Sequence, residues 1–355
     1  MAIERLIQTG FELGSVTAEG TAIGTNPGNL VVITGTPKTG IYSLRMGSHA
    51  SSSYAMLWTI PSTVQFRDGF HVRLANSYTA GNALYVASWR TAADAEAGSL
   101  RYQSNTGQLH LYTSGVYRAS ISGININTWY HIGVDARINL STGWAKVYVN
   151  GALVLSFSGN TGSTNLTRIV LGCDPQVGNQ LDSGSYYYYD DITIDDTTDE
   201  GAPAPVPDRR WDYKASADAD EAETYKEWAG SDGNSVDNYA LVDEIPHNSD
   251  TDYVSAGAAD LKDSYKHATF SLPANGTIKS VVPIAVAKKG DATDCQLALG
   301  TRLSATDLIG SGQALPTSYG LAVWERQTAK PGGGAWEEAD VNAAELVIES
   351  DGAFA

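Results

Sequence analysis

Hydrophobic and polar residues alternate with a period of two in many short runs of the first 200 residues. Examples lie at 70–74, 83–89 and 130–136, and turn-forming residues such as Gly, Asn, Ser and Asp separate the runs. Such alternation places successive side chains on opposite faces of a half-buried strand. Asn150-Gly151 predicts a tight hairpin, because both residues tolerate a positive φ. Many short strands at regular spacing predict a β-sandwich or jelly roll.

A change in composition after residue 197 divides the chain. The segment at 197–210, TTDEGAPAPVPDRR, favours an extended polyproline II conformation because Ala and Pro alternate in it. Residues 217–229 are rich in Ala, Asp and Glu and fit either a short exposed helix or a polar extension. We therefore predict an all-β chain in three parts. These are a lectin-like jelly-roll sandwich at 1–197, a linker at 198–237 that is Pro-rich and then polar or helical, and a second, smaller β-sandwich at 238–355.

The chain is strongly acidic. Its 40 Asp and Glu residues outnumber 23 Lys and Arg residues, which gives a formal net charge of -17 at pH 7. An acidic surface repels phosphate, so we expect neither nucleic acid nor an anionic membrane surface as a partner. No run approaches the roughly 18 apolar residues of a membrane span, and the N-terminus lacks a signal-peptide pattern. We therefore expect no membrane insertion.

Three segments in the first 197 residues carry a resemblance to a known fold family. They are WYHIGVD at 129–135, VYVNG at 147–151 and YYDDITI at 188–194. Together they resemble the core hairpin and the closing strand of concanavalin A-like, laminin-G-type jelly rolls. The resemblance implies a lectin-like sandwich. It implies no particular function, because this fold carries lectins, hydrolases and structural modules.

Three segments in the second half form another pattern. They are NYALVDEIP at 238–246, DTDYV at 250–254 and AWEEADV at 335–341. This half resembles a β-domain that is common in structural proteins of tailed bacteriophages. The resemblance implies a virion component, made in the cytoplasm of a bacterial host, that attaches to other virion proteins and forms a homo-oligomer.

The carboxylates of the first 197 residues do not form a catalytic pattern. A glycosidase needs two carboxylates that flank the bond it cleaves. The nearest arrangement is Asp191 and Asp195, four residues apart on one predicted strand, which is about 13 Å by the rise per residue. That distance is too long for either glycosidase geometry. We therefore predict that the protein is not an enzyme.

A run of four tyrosines at 186–189 is the strongest candidate for a contact surface. Alternate residues of a strand face opposite sides, so half of these side chains should face the core and half the outside. An exposed tyrosine stacks on sugar rings or anchors a protein interface. Trp89 precedes the polar loop 91–99 and is a candidate for an exposed sugar platform. The candidates for glycan or interface contact are therefore Trp89, Tyr186, Tyr187, Tyr188 and Tyr189.

Acidic residues near the last strand of the jelly roll are candidate metal ligands. Asp190 and Asp191, with Asp174 and Asp182 on the preceding loop, could bind Ca²⁺, which takes several carboxylate and carbonyl oxygens. The alternative interpretation is that Asp190 and Asp191 cap and orient the closing strand, while Asp195 and Asp196 are solvated. We predict no other cofactor.

Two functions fit these observations. The first is a bacteriophage virion structural protein, capsid decoration or tail-associated, that acts by protein attachment and surface display. Protein contact is favoured over sugar because interface tyrosines are common. The alternative is a carbohydrate-binding host-recognition protein, such as a fibre or receptor-binding protein.

Overall fold

The chain forms two compact units, Met1–Trp211 and Asp212–Ala355. Almost all regular structure in the described residues is β-strand, and the prediction of an all-β sandwich protein is confirmed. No helix in the described part of the chain is long and apolar enough to cross a membrane. The computed structural model describes residues 4–24, 30–46, 54–75, 83–103, 105–172, 186–200, 202–217, 223–290, 293–320 and 322–353.

An antiparallel sheet of eight described strands forms one layer of the first unit. The strands are β1 (Glu4–Thr9), β3 (Leu30–Ile33), β4 (Ser43–Met46), β6 (Gln65–Ala75), β11 (Trp129–Arg137), β12 (Gly143–Val149), β13 (Ala152–Gly159) and β15 (Tyr186–Asp196). Their order is β13-β12-β11-β6-β15-β4-β3, and β1 pairs with β15 outside this path.

An antiparallel sheet of seven described strands forms the other layer. The strands are β2 (Thr21–Gly24), β5 (Tyr54–Thr63), β7 (Ala83–Arg90), β8 (Glu96–Gln103), β9 (Gln108–Thr113), β10 (Val116–Ser122) and β14 (Leu166–Gly172). Their order is β10-β9-β8-β7-β14-β5-β2, and the short helix α1 (Val16–Glu19) lies between β1 and β2 in the chain.

The two sheets pack face to face around one hydrophobic core. Phe66 and Phe70 of β6 and Ile132 of β11 belong to this core, as their alternation with polar residues predicts. Across the interface, the ring of Trp89 on β7 lies 5.6 Å from that of Phe66. The outer face of the eight-stranded sheet therefore carries the intervening polar and aromatic residues of the same strands.

The predicted hairpin at Asn150-Gly151 connects β12 to β13. Both residues have a positive φ, 49° and 81°, which a two-residue turn of the favoured hand requires. The turn places Tyr148 opposite Leu153, and a register shift next to Tyr148 then places Val147 opposite Leu155. The side chains of Val147 and Leu155 are buried in the sandwich core.

The closing strand β15 changes its partner halfway along. Residues 187–189 pair with β4, whereas residues 192–196 pair with β1. The register of β15 against β6 shifts between Asp190 and Thr193, and Asp191 has a φ of 50°. This β-bulge interrupts the alternation of faces at the point where the two partner strands meet.

Residues 202–211, which we name the strap, lie on the outer face of the eight-stranded sheet. The structure differs here from the predicted linker at 198–237, because the strap is packed and residues from Asp212 onward belong to the second unit. Val206 is 4% exposed and lies over Gly69 and Gly133. A Cβ atom at Gly133 would lie 2.5 Å from the Cβ of Val206. The two glycines thus provide the space that the valine fills.

Polar contacts fix the strap along its length. Two carboxylates of the sheet accept its backbone N–H groups, and one strap carboxylate meets a histidine of the sheet. The contacts are Ala204 N–H to Asp135, Trp211 N–H to Asp191 at 2.9 Å, and Asp208 to His71 Nε2 at 3.3 Å.

Replacing Val206 by aspartate should release the strap. The substitution places a charge over two glycines in a space without a partner for it, so the strap amides should exchange faster with solvent. Hydrogen exchange followed by mass spectrometry measures this directly. Val236→Asp is the matched control, because Val236 is 50% exposed and belongs to the second unit. Unchanged strap exchange in Val206→Asp would contradict the packing described here.

The second unit contains a five-stranded sheet and two short two-stranded ribbons among its described residues. The sheet has the order β18-β24-β20-β21, with β22 also paired to β20, and the ribbons are β16-β17 and β19-β23. These elements are β16 (Ala229–Gly230), β17 (Val254–Ser255), β18 (Lys262–Tyr265), β19 (Ile284–Ala285), β20 (Cys295–Leu303), β21 (Thr306–Ile309), β22 (Gln313–Ala314), β23 (Val323–Trp324) and β24 (Glu345–Gly352).

Helical structure in the second unit is short. The helix α2 (Glu338–Ala343) precedes the last strand, and a capping box between Glu337 and Asp340 satisfies its first backbone N–H groups. Of the predicted polar or helical segment at 217–229, the described residues 223–229 are not helical, and residues 218–222 lie outside the described residues.

Candidate functional site

A row of arginine and aromatic side chains crosses the outer face of the eight-stranded sheet, away from the strap-covered glycines. Tyr188 on β15 lies opposite Arg45 on β4 and opposite Arg73 on β6, and Arg73 lies opposite Trp129 on β11. Directly opposed residues share a face. Tyr186, two residues from Tyr188, lies on the same face. We name these five residues the arginine–aromatic row.

The tyrosine run alternates as the sequence predicts. Tyr186 and Tyr188 are half-buried on the outer face, whereas Tyr187 and Tyr189 are fully buried in the core. The Tyr189 hydroxyl donates a hydrogen bond of 2.7 Å to the carbonyl of Val86 on the opposite sheet. Tyr187 and Tyr189 are therefore removed from the candidate contact residues, because a buried ring cannot meet a glycan or a partner protein.

The arginines and tyrosines of the row stack on one another. The guanidinium carbon of Arg45 lies 5.2 Å from the ring centre of Tyr186, and that of Arg73 lies 5.3 Å from the ring centre of Tyr188. The two tyrosine rings are 6.3 Å apart with an interplanar angle of 44°. Stacking of this kind holds long arginine side chains in place over aromatic faces.

The two arginines of the row have no acidic partner among the described residues. The Nε atom of Arg45 is buried and has no hydrogen-bond acceptor there. Within the described ranges, Arg73 makes one hydrogen bond of 3.5 Å, from its Nη2 atom to Asn127 Oδ1. A buried donor without an acceptor costs free energy of folding. Such a donor therefore indicates a functional role or a partner outside the described residues.

A similar cluster on the seven-stranded sheet differs from the row because its arginine has an acidic partner. Arg101 stacks on the rings of Tyr112 at 3.8 Å and Tyr85 at 4.3 Å. Its Nη2 atom donates to both carboxylate oxygens of Glu96 at 3.0 Å, and its Nε atom donates to Ser99 at 3.0 Å. The charge of this arginine is satisfied within the protein, unlike the charges of the row.

Trp89 is not a surface platform, and the prediction that it is exposed is wrong. The residue is 3% exposed, packs against Phe66 and donates a hydrogen bond of 3.3 Å from its indole N–H to Asp68 Oδ2. The reason is a register shift on β7 between Tyr85 and Ala87. Strict alternation would place Trp89 on the outer face with Tyr85, but the bulge reverses the faces after it.

Asp190 and Asp191 form part of the polar interior under the loop that precedes β4. Asp190 Oδ2 accepts hydrogen bonds from the backbone N–H groups of Lys38 at 2.8 Å and Thr39 at 3.1 Å. Asp191 Oδ1 accepts from the Thr39 hydroxyl at 2.6 Å and from the Trp211 N–H at 2.9 Å. Burial, and then the charge of Asp191, raise the pKa of Asp190 to about 8.

These contacts bear on the calcium hypothesis. The carboxylates orient the strand, the loop and the strap through hydrogen bonds, which matches the alternative interpretation of Asp190 and Asp191. No group of three potential ligands capable of holding a metal ion occurs among the described residues. Asp174 and Asp182 lie outside those residues, so calcium binding stays a prediction.

Asp195 is not solvated as predicted. It is 4% exposed and pairs with Arg5 of the neighbouring β1, whose Nη2 atom lies 3.1 Å from Asp195 Oδ2. Arg209 of the strap lies 3.7 Å from the same oxygen. A buried carboxylate is retained here because two arginines compensate its charge.

His71 connects β15 to the strap. Its Nδ1 atom lies 3.1 Å from Asp191 Oδ2, its Nε2 atom lies 3.3 Å from Asp208 Oδ1, and the ring centre of His131 is 5.2 Å away. Burial lowers the pKa of His71, but the hydrogen bonds and charges of the two aspartates outweigh burial and raise it above its ordinary value. Burial lowers the pKa of His131. The pKa values of the two neighbouring histidines are thus shifted in opposite directions.

Sequence reasoning found two of the five row residues and missed the others. Arg45 and Arg73 each stand between two apolar residues on a strand, Leu44 and Met46 for the first. This alternation marks both arginines as outward-facing, although it cannot show that the two strands flank β15. Trp129 lies opposite Arg73 and therefore on the outer face, which depends on the pairing of β11 with β6.

The chain is similar to several solved structures at low sequence identity. No protein family matches the chain, and no curated protein matches it. Among solved structures, the cellulose-induced protein Cip1 is 11% identical over 53% of this chain and 96% of its own, with a TM-score of 0.39. A sialidase is 13% identical over 48% of this chain and 16% of its own, with a TM-score of 0.36.

The ligand-binding domain of botulinum neurotoxin serotype D, in complex with N-acetylneuraminic acid, is also similar. It is 14% identical over 51% of this chain and 43% of its own, with a TM-score of 0.36. At such identities and scores, no ligand or activity of these proteins extends to this chain.

Proposed function

We propose that the first unit is a carbohydrate-binding domain and that the arginine–aromatic row is its binding surface. The observation that carries the proposal is the half-exposed pair Tyr186 and Tyr188, which shares one sheet face with Trp129 two strands away. The flat faces of such rings stack against the apolar faces of sugars, while polar groups around them accept and donate hydrogen bonds to hydroxyls.

The dimensions of the row support an oligosaccharide rather than a single sugar. From Arg45 to Trp129 the row crosses three strand spacings, or about 14 Å. The phenol oxygens of Tyr186 and Tyr188 and the indole N–H of Trp129 have no hydrogen-bond partner among the described residues. These groups are free to meet the hydroxyls of a ligand.

The proposal is binding without catalysis. Asp191 and Asp195, the closest match to a carboxylate pair in the sequence, are engaged by hydrogen bonds and by Arg5 respectively. The virion hypothesis, with its capsid or tail partners and homo-oligomer, stays a prediction, since nothing in the fold or the row distinguishes it. The two hypotheses are compatible, because a displayed virion protein can bind a glycan.

Replacing Tyr188 by alanine should weaken glycan binding by about tenfold, the loss expected when one aromatic contact is removed. The measurement is a glycan array with the full chain, followed by isothermal titration of the strongest ligand. Tyr188 is half-buried at the surface, so the variant should keep the stability of the wild-type protein.

Tyr117→Ala is the matched control for this experiment. Tyr117 is a tyrosine of the other sheet, 50% exposed, and its loss should leave glycan binding unchanged. An array without any bound glycan, or equal losses in Tyr188→Ala and Tyr117→Ala, would refute the proposed function.

A further inference from the structure

The row carries positive charge on a protein that is acidic as a whole. The chain carries 17 more acidic than basic residues, and several of its arginines are held by carboxylates, as Arg5 is by Asp195 and Arg101 by Glu96. Arg45 and Arg73 have no such partner among the described residues. Two arginines that lack a carboxylate partner among the described residues thus form a local positive site on one face of an acidic protein.

We infer that the ligand of the row is an acidic oligosaccharide whose negative group is held by Arg45 and Arg73. This inference rests on the proposed function, since it names the substrate class of the same surface. The two arginines flank Tyr188 on the neighbouring strands. The guanidinium of Arg45 lies over the ring of Tyr186 and that of Arg73 over the ring of Tyr188, so both charged groups lie beside the rings on which a sugar would stack.

The chemistry of arginine fits this ligand class. A guanidinium presents several N–H donors in a planar fork that matches a carboxylate or a sulfate. No carboxylate among the described residues pairs with Arg45 or Arg73, so no acidic side chain there competes with the ligand for these two guanidinium groups. Stacking on Tyr186 and Tyr188 orients both forks before the ligand arrives, which reduces the entropy lost on binding.

The net charge of the protein limits how many acidic groups the ligand should carry. A long polyanion would be repelled by the net charge of -17 that the protein carries, whereas a short glycan with one acidic sugar meets mainly the local positive site. We therefore expect oligosaccharides with a single sialic acid, uronic acid or sulfated sugar to bind more tightly than highly charged polysaccharides.

The test is an array in which each acidic oligosaccharide has a neutral counterpart that lacks only the acidic group. The wild-type chain should prefer the acidic member of a pair. In Arg45→Gln and in Arg73→Gln, its affinity should fall by about tenfold, the loss expected for one charge-assisted hydrogen bond. The affinity for the neutral member should change little, so the preference disappears.

Arg118→Gln is the matched control. Arg118 also stacks on an aromatic ring, that of Phe157 at 4.1 Å, but its donors are bound to Thr113 and Asn160 within the protein. This variant should keep the acidic preference. Arg73→Lys should keep part of it, because a lysine retains the charge without the planar fork.

The outcomes separate this inference from the proposed function. If neutral and acidic glycans bind equally, and Tyr188→Ala abolishes binding while the arginine variants do not, the row binds sugars but the inference of an acidic ligand is wrong. If no glycan binds, the proposed function itself fails. Loss of acidic preference in both arginine variants, with binding of neutral glycans retained, supports both.

Discussion

Replacing Trp89 by alanine should destabilise the first unit by about 3–5 kcal/mol, the usual cost of removing a large aromatic side chain from a core. The ring is 3% exposed, packs against Phe66 and donates the single hydrogen bond of Asp68, whose other carboxylate oxygen is already unpaired. The substitution therefore leaves a cavity and an unsatisfied buried carboxyl. Amide hydrogen exchange of β6 and β11 in the full chain measures the loss.

Trp129→Ala is the control, because it removes a tryptophan from the surface instead of from the core. Trp129 is half-buried on the outer face, so its removal should cost about 1 kcal/mol of stability or less, yet weaken glycan binding. Trp89→Ala should show the reverse, with full glycan affinity in the fraction that stays folded. A Trp89→Ala protein as stable as the wild type would contradict the assignment of this residue to the core.

Raising the pH from 5 to 8 should destabilise the first unit. Burial raises the pKa of Glu12, Glu19 and Asp68 to about 7 in each case, against values near 4 in an unfolded chain. The folded state therefore binds more protons than the unfolded state between these values. The stabilisation is fully present below pH 4 and is lost as the pH rises through 7.

Asp68→Asn isolates the largest of these three contributions to the pH dependence. Asp68 is fully buried, and a shift of about 3 units corresponds to roughly 4 kcal/mol at pH 8. The amide cannot ionise and keeps an acceptor for the Trp89 N–H, although its new N–H groups lack partners. We expect the variant to match the wild type at pH 5 and to exceed it by about 2 kcal/mol at pH 8.

Asp250→Asn is the control for the pH series, because Asp250 lies at the surface and pairs with Lys288 at 2.6 Å. Its removal should leave the pH dependence of the first unit unchanged. Equal stability of wild type and Asp68→Asn at both pH values would show that Asp68 stays ionised at no cost, contrary to its burial.

Strand positions and the alternation of faces could be read from the sequence because they depend on local residue types. Period-two runs predicted most strands of the first unit, Asn150-Gly151 predicted the hairpin, and the tyrosine run predicted two buried and two outward rings. Each of these signals lies within a few residues of the feature that it predicts.

Register shifts between paired strands, and ion pairs between residues far apart in the chain, could not be predicted from the local sequence. A register shift on β7 turned Trp89 inward, and Asp195 is buried because Arg5, 190 residues away in sequence, pairs with it. The strap was predicted as a linker because its Ala-Pro composition is extended, and a sequence does not show what an extended segment lies on. The row itself depends on the order β4-β15-β6-β11, which joins residues far apart in the chain.

The most direct test of the central proposal is fluorine NMR of the full chain with 5-fluorotryptophan at its eight tryptophans. Trp129→Phe and Trp89→Phe assign the two resonances that matter. Titration with the glycan that binds most strongly on the array should shift the Trp129 resonance and leave that of buried Trp89 in place. A bound glycan that moves other resonances and leaves Trp129 unchanged would show that the binding surface lies elsewhere.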